Sequence, residues 1–119
     1  MSSRPDTLQS VTYRAYIPPY DEYVSVIIST QEGKIRELFI NSDHMESYPW
    51  ISYLTRTVSK RLQQGEHILH LVNEMKETYD TDGGYIIPKS ENTRANSVVG
   101  HIAWLIEQEY KRINQSLAN

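Results

Sequence analysis

One loop of this chain concentrates the side chains that could bind a small polar molecule. Arginine can bind a phosphate bidentately, lysine adds a point charge, and an asparagine amide can pair with the polar edge of a base. A tyrosine ring can stack on the face of a base. The loop and its flanks supply Tyr85, Lys89, Asn92, Arg94 and Asn96. This set predicts a site for a nucleotide-like ligand, and the alternative interpretation is a turn followed by a capped helix.

Four residues outside the loop are further candidates for the same ligand. Arg112, on the last predicted helix, is a second phosphate partner. Arg56 and Arg61 lie on the first predicted helix, where a solvated polar face is the alternative interpretation. Met75 is included as a ligand-binding candidate, although a core side chain is its favoured interpretation.

Signals for catalysis and for metal binding are weak. His67 and His70 are three residues apart on a predicted helix, but no HExxH or cysteine motif adds a further zinc ligand. Ser97 and His101 are four residues apart, but the chain has no GxSxG motif, and helix capping is the better interpretation of the serine. We therefore predict no catalytic residues, no metal site and no cofactor.

Composition limits the classes of partner. The 119 residues are enough for one domain, and the net charge of −3 argues against bulk binding of DNA or RNA, which needs a basic surface. Cysteine is absent, so disulfides and thiolate chemistry are excluded. No apolar run approaches the ~20 residues of a membrane span, and no signal-peptide core is present, so we expect a cytoplasmic protein. Nine tyrosines against one phenylalanine suggest an interface, and we expect a homo-oligomer.

The first third of the chain has the composition of β-strands. Residues 11–17, 23–30 and 34–41 are rich in β-branched and aromatic residues, and Gln31-Glu32-Gly33 has the length of a hairpin turn. These segments predict an antiparallel meander of about three strands. Residues 1–10 are expected to form a flexible arm, and residues 11–119 a single domain.

Helical spacing follows the strands. Helical signals begin at Asp43, which has the spacing of a capping box with Glu46, and Pro49 is expected near the helix start. Two apolar stripes then predict two helices that extend to Tyr79. After the glycine pair at 83–84, residues 85–87 predict a short strand and the remainder a long helix. The predicted order is β-β-β-α-α-β-α, which is an α+β fold with about three helices packed on an antiparallel sheet of three to four strands.

Several phrases of the sequence resemble the TSCPD domain. The most specific is LFINSDHMESYPW at residues 38–50. The others are Arg4-Pro5 with Leu8 and Tyr13, Leu54-Thr55-Arg56, and Gly83-Gly84-Tyr85 leading through Ile87-Pro88 to the last helix. The TSCPD domain occurs near the C-terminus of adenosylcobalamin-dependent (class II) ribonucleotide reductases and in their split small subunit, NrdJb. The resemblance covers nearly all of residues 4–110 and implies an accessory subunit that docks on such a reductase.

The chain also departs from that family. The domain is named for a cysteine-containing motif, and this sequence has no cysteine. We also expect no counterpart of the reductase's catalytic body or redox tail within these 119 residues. The resemblance therefore does not imply that this chain reduces a ribonucleotide by itself.

A looser resemblance is to small stand-alone phage proteins of the Thoeris anti-defence type. Those proteins share the order of strands and helices, sequester cyclic ADP-ribose isomers without cleaving them, and assemble as oligomers. The resemblance implies a pocket with an aromatic ring, an asparagine and arginines near Tyr85, Asn92 and Arg112.

Two function classes follow. The first is a non-catalytic protein that sequesters a nucleotide-derived signal, such as a cyclic ADP-ribose isomer or a cyclic nucleotide, in the host cytoplasm if a phage encodes it. The second is the accessory subunit of a class II ribonucleotide reductase. We favour the first because the aromatic, amide and cationic groups are concentrated at one loop.

Overall fold

A computed structural model describes residues 8–43 and 48–118, and it shows an α+β fold. The strands are β1 Gln9–Ile17, β2 Glu22–Gln31, β3 Lys34–Asn41, β4 Tyr85–Ile86 and β5 Arg94–Ala95. The helices are α1 Pro49–Gln63, α2 Ile68–Lys76 and α3 Val98–Ala118. A single 3-10 turn, Pro18–Tyr20, joins β1 to β2. The predicted fold class and element order are confirmed, and β5 is an addition that the sequence patterns did not predict.

The first three strands form the predicted antiparallel meander, in the order β1-β2-β3. Glu32 and Gly33 make the turn between β2 and β3, and both have positive φ, at 54° and 76°. That conformation matches the twist of the two strands, and glycine adopts it without a steric penalty. The first strand begins at Gln9, which pairs with Thr30, so the end of the predicted arm lies in the sheet. Residues 1–7 of that arm are outside the described part of the chain.

One face of the sheet is covered by the helices and the other is open. Along β2, Val24, Val26 and Ile28 are buried, because alternate side chains point to the same face of a strand. On the open face, Tyr23 and Phe39 are 53% and 56% exposed. The sheet is therefore the outer layer of the domain, as expected for an antiparallel sheet with one solvated face.

Helix α1 packs along β3. It begins at Pro49, as expected for a proline near the helix start, and not directly after Asp43. Glu46 of the predicted capping box lies outside the described residues. Ser59 satisfies the open edge of β3, since its hydroxyl accepts from the Leu38 amide at 3.0 Å and donates to the Leu38 carbonyl at 3.1 Å. Such a contact satisfies backbone groups that an edge strand would otherwise leave unpaired.

Helices α2 and α3 pack against each other, and α3 also contacts β2. Helix α2 ends at Lys76, so Tyr79 lies beyond it and is 73% exposed, contrary to the predicted stripe. The core joins the inner face of the sheet to all three helices and includes Ile28, Leu71 and Ile102.

The short strands β4 and β5 form a separate antiparallel ribbon. Gly84 precedes it and lies against the backbone of β5: a Cβ at this position would be 1.8 Å from the Ala95 carbonyl oxygen. Gly83 has a φ of 81°, which a turn requires. The glycine pair therefore makes a turn and a close backbone approach, and the ribbon places the polar loop beside the first turns of α3.

Candidate functional site

A pocket of about 320 Å³ opens between β1, the loop that follows β4, and α3. We call it the β1–α3 pocket. Its volume falls within the range of small-molecule sites, roughly 300–1,000 Å³. The pocket is lined by Tyr13, Arg14 and Tyr16 of β1, Tyr23 of β2, Pro88 and Lys89 of the loop, and His101, Trp104 and Gln108 of α3.

The strand side of the pocket combines aromatic rings with a cation. Tyr16 and Tyr23 are register partners, and their rings meet edge to face at 5.3 Å between centroids. The Arg14 guanidinium carbon lies 5.1 Å from the centroid of Tyr23, within cation–π distance. The Tyr16 hydroxyl donates to Asp21, and that hydrogen bond is the main reason that the pKa of Tyr16 is raised. This side therefore places an aromatic ring and a positive charge next to each other at the pocket.

The helix side of the pocket is backed by a hydrogen-bonded pair, the half-buried Tyr85 and the buried His101. The Tyr85 hydroxyl lies 2.8 Å from Nδ1 of His101, and the centroids of the two rings are 5.6 Å apart. Burial lowers the pKa of His101 to about 4 and raises the pKa of Tyr85, so both groups are neutral at pH 7. Tyr85 is half-buried and packs against the core, with its polar end engaged by His101.

The loop side carries Lys89 into the pocket. Ser90 and Thr93 close the loop, since the Thr93 amide donates to the Ser90 hydroxyl at 3.0 Å and the Thr93 hydroxyl donates to the Ser90 carbonyl at 2.9 Å. Lys89 and Asn92 have positive φ, at 60° and 72°, and their side chains are exposed. The hydrogen bonds within the loop therefore fix the backbone position from which the Lys89 side chain extends toward the pocket.

Of the five loop candidates, only Lys89 lines this pocket. Asn92 and Arg94 are exposed outside it. Asn96 is half-buried, and its amide nitrogen donates to the Lys76 carbonyl at 3.1 Å, which ties the ribbon to the end of α2. Lys89 therefore lines the pocket, Asn92 and Arg94 are exposed to solvent, and Asn96 has a structural role.

The candidates outside the loop lie at separate places. Met75 is in the core at 5% exposure, as its favoured interpretation expected, and Arg56 is exposed on α1. The Arg61 guanidinium binds Glu66 through two nitrogens and Glu74 through a third at 2.6 Å. These hydrogen bonds raise the pKa of Arg61 and lower the pKa of both carboxyls.

Arg112 belongs to a buried carboxylate network. Its Nε and Nη2 donate to Glu109 at 2.8 and 2.6 Å, and the Tyr13 hydroxyl donates to the same carboxylate at 2.8 Å. Glu109 is 0% exposed, and the hydrogen bonds from Arg112 hold its pKa below the usual value. Burial, followed by the hydrogen bond to Glu109, raises the pKa of Tyr13 to about 12. This network fixes the position of Tyr13 at the pocket.

Ser97 acts as a helix cap, as its favoured interpretation expected. Its hydroxyl accepts from the Gly100 amide at 3.0 Å at the start of α3. Within the described residues, no group of three His, Asp or Glu side chains could hold a metal ion. In the same part of the chain, no helix has the length and apolar character needed to cross a membrane.

Sequence patterns did not identify most of the residues that line the pocket. Tyr13, Arg14, Tyr23, Trp104 and Gln108 are distant from the polar loop along the chain, and only the fold brings them to Lys89. The excess of tyrosine was interpreted as the sign of an interface, and it did not indicate that Tyr13, Tyr16 and Tyr23 line a pocket.

Comparison with protein families gives one match. A model described as the TSCPD domain matches residues 2–110, which is most of the chain. Comparisons with curated proteins and with solved structures give no match at the significance threshold.

Proposed function

We propose a function for this chain on the premise that it belongs to the TSCPD domain family. The protein binds and sequesters a nucleotide-derived signalling molecule, such as a cyclic ADP-ribose isomer or a cyclic nucleotide, without cleaving it. In a phage this activity would make it an anti-defence sponge. The observation that carries the proposal is the β1–α3 pocket, which brings aromatic rings and two cations together.

The pocket matches the parts of a nucleotide. Tyr23 and Trp104 offer π surfaces for a base, and each base that stacks on an aromatic ring contributes about 1–3 kcal/mol. Arg14 and Lys89 are on opposite sides of the pocket, and neither forms an ion pair within the described residues. Their charges are therefore available to a phosphate or pyrophosphate. Gln108 adds an amide that can donate to and accept from a polar edge.

The titratable groups behind the pocket support binding rather than turnover. A general base needs a pKa near the working pH, whereas the pKa of His101 is about 4 and its Nδ1 faces the Tyr85 hydroxyl. Glu109 is held by Tyr13 and Arg112. The ligand is therefore expected to dissociate from the protein without being cleaved.

The second candidate function is the accessory subunit of a class II ribonucleotide reductase. The family match over residues 2–110 favours it, since this domain occurs in those enzymes. In that case the exposed rings of the open sheet face, Tyr23 and Phe39, would contact the reductase instead of a small molecule.

One experiment separates the two functions. The full-length protein is purified under native conditions, and mass spectrometry identifies any small molecule that is released on denaturation. Calorimetry then follows binding of cyclic ADP-ribose isomers, cyclic nucleotides and deoxynucleotides. Saturable binding with recovery of the intact ligand supports the sponge. Absence of heat with every ligand, together with tight binding to a class II reductase, supports the accessory subunit, and recovery of a cleaved ligand contradicts both.

A further inference from the structure

A second cavity, of about 400 Å³, lies away from the β1–α3 pocket. It is enclosed by the β2–β3 hairpin, the connection between α1 and α2, and the later turns of α3, and we call it the hairpin pocket. Lys34 and Arg36 line it from the hairpin, His67 from the connection, and Tyr110 and Asn114 from α3. It shares no lining residue with the first pocket.

Arg36 is the central feature of the hairpin pocket. The register between β2 and β3 shifts at Ser29 and Thr30, which pair with Glu37 and Ile35, so Arg36 is the extra residue of a β-bulge. Bulges redirect a side chain and are common beside functional sites. The Nε of Arg36 is buried, and it has no hydrogen-bond partner within the described residues. A buried donor without a partner costs free energy, and an acceptor from a ligand would remove that cost.

The acids near this pocket do not neutralise Arg36. Glu66 also lines the pocket, but the guanidinium of Arg61 binds it through two nitrogens. The remaining lining acid, Glu32, is exposed at the tip of the hairpin. Lys34 adds a second positive charge. The balance of free charges in the pocket therefore favours an anion.

The rest of the lining suits an apolar body with a polar end. His67 caps α2, since its Nδ1 accepts from the Leu69 amide at 3.1 Å. An accepting Nδ1 leaves the proton of the neutral ring on Nε2, which is then a donor. The His67 ring meets the Tyr110 ring edge to face at 5.9 Å, and Ile35 and Ile68 add apolar surface. The wall thus combines an aromatic pair with hydrogen-bond donors.

We propose that the hairpin pocket is a second binding site, which takes a small organic anion: a phosphate or carboxylate group attached to an apolar or aromatic body. The anion accepts from Arg36 Nε and is attracted by Lys34, while the body packs against Tyr110 and Ile68. This site is independent of the nucleotide site proposed above.

Phenyl phosphate and benzoate are suitable probes, and inorganic phosphate shows what the anion binds without a body. Each is titrated into ¹⁵N-labelled full-length protein, and the amide signals of Gly33 and Gly65 report the pocket, because both residues line it. We expect saturable shifts of these two signals with phenyl phosphate or benzoate, and weaker binding of inorganic phosphate.

Arg36→Met is the diagnostic variant, since it removes the guanidinium and keeps an unbranched side chain. It should weaken probe binding about tenfold or more, a loss of about 1.4 kcal/mol, with no loss of thermal stability, because it also removes an unsatisfied buried donor. Lys34→Met removes the second positive charge of the pocket at an exposed position, so it tests the attraction of an anion without any change in the core. Lys60→Met is the matched control, since Lys60 is exposed on α1 and lines neither pocket, and it should leave the probe-induced shifts of Gly33 and Gly65 unchanged.

Three results would overturn the second site. The first is the absence of saturable shifts at Gly33 and Gly65 with every probe. The second is equal binding by wild type, Arg36→Met and Lys34→Met, and the third is loss of these shifts in Lys60→Met. Failure of the nucleotide proposal would appear separately, as the absence of nucleotide binding while the probes still bind.

Discussion

The hydroxyl of Tyr85 lies 2.8 Å from Nδ1 of His101, a residue that is 2% exposed. This contact joins the β4–β5 ribbon to α3, and it lies directly behind the β1–α3 pocket, which His101 lines. Because burial keeps both groups neutral, the hydrogen bond is between two uncharged partners at pH 7. Protonation of the histidine would place a charge in the core without an acidic partner in this contact.

The stability of the fold should therefore fall in mild acid. The pKa of His101 is lowered from 6.5 to about 4, so the unfolded chain takes up a proton first as the pH falls. Above pH 6.5 the histidine is neutral in both states and does not reduce stability. As the pH falls toward 4, its protonation in the unfolded chain lowers the free energy of unfolding by roughly 3 kcal/mol in all. Denaturant unfolding at a series of pH values measures the loss.

The matched variant for this prediction is His101→Asn. An asparagine oxygen can take the place of Nδ1 as acceptor for Tyr85, but the side chain does not titrate. The variant should show a smaller loss of stability than the wild type above pH 4.5, where the carboxyl groups remain largely charged. Equal losses in the two proteins would show that His101 is not the cause.

Much of the fold could be predicted from the sequence because it depends on local patterns. Alternation along residues 23–30 and the turn at Glu32-Gly33 predict the meander, and apolar spacing predicts the helices. The strand β5 was missed, because Arg94-Ala95 has no strand composition and pairs only because the loop turns back at Ser90 and Thr93.

The candidate site was less predictable because it is made of contacts across long stretches of chain. Lys89 was identified from its neighbours in sequence, whereas Arg14 lines the same pocket only because the fold brings β1 near the loop and α3. Arg112 was expected to be a phosphate partner, and in the structure its guanidinium forms an ion pair with Glu109. Sequence spacing shows which residue types are near each other, but it does not show which charges are already paired.

The carboxylate of Glu109 gives a second prediction, through Tyr13. Tyr13→Phe removes a 2.8 Å hydrogen bond to a carboxylate that is 0% exposed. Hydrogen bonds to charged groups contribute about 1.5–3 kcal/mol, so the free energy of unfolding should fall by about that amount. Denaturant unfolding at pH 7 measures it, with Tyr53→Phe as the control, since Tyr53 is 68% exposed. A loss no larger than that of the control would contradict a structural role for this contact.

Gly84 gives a third prediction, on the turn before the ribbon. Gly84→Ala would bring a Cβ to 1.8 Å from the Ala95 carbonyl oxygen, so the backbone of β5 must move. Gly83→Ala is the control, because its Cβ meets nothing within 4 Å and only its φ of 81° is unfavourable. The control should lose about 1 kcal/mol and Gly84→Ala clearly more. Equal thermal stability of the two variants would contradict the close approach.

The assembly of the protein is a fourth prediction. We expect a homo-oligomer in which the open sheet faces of two copies meet, since Phe39 and Ile27 are register partners on that face and Phe39 is 56% exposed. A two-fold axis brings the same patch of both copies together. Light scattering should give at least twice the monomer mass, and Phe39→Lys should lower it. A monomer mass at all micromolar concentrations would contradict this expectation.

The last prediction concerns the nucleotide-derived ligand and the two sides of the β1–α3 pocket. Tyr23→Ala removes a stacking surface and should weaken binding by about tenfold to a hundredfold, by analogy with base–aromatic stacking. Lys89→Ala should weaken binding and reduce its dependence on salt, because a phosphate contact is screened by added ions. Both side chains are exposed, so neither variant should change the unfolding temperature strongly.

Arg94→Ala tests the loop outside the pocket, where the sequence also predicts a phosphate partner. Calorimetry at two salt concentrations measures all three variants. If Arg94→Ala reduces the affinity and the salt dependence while Tyr23→Ala and Lys89→Ala do not, the ligand binds on the outer side of the loop and not in this pocket.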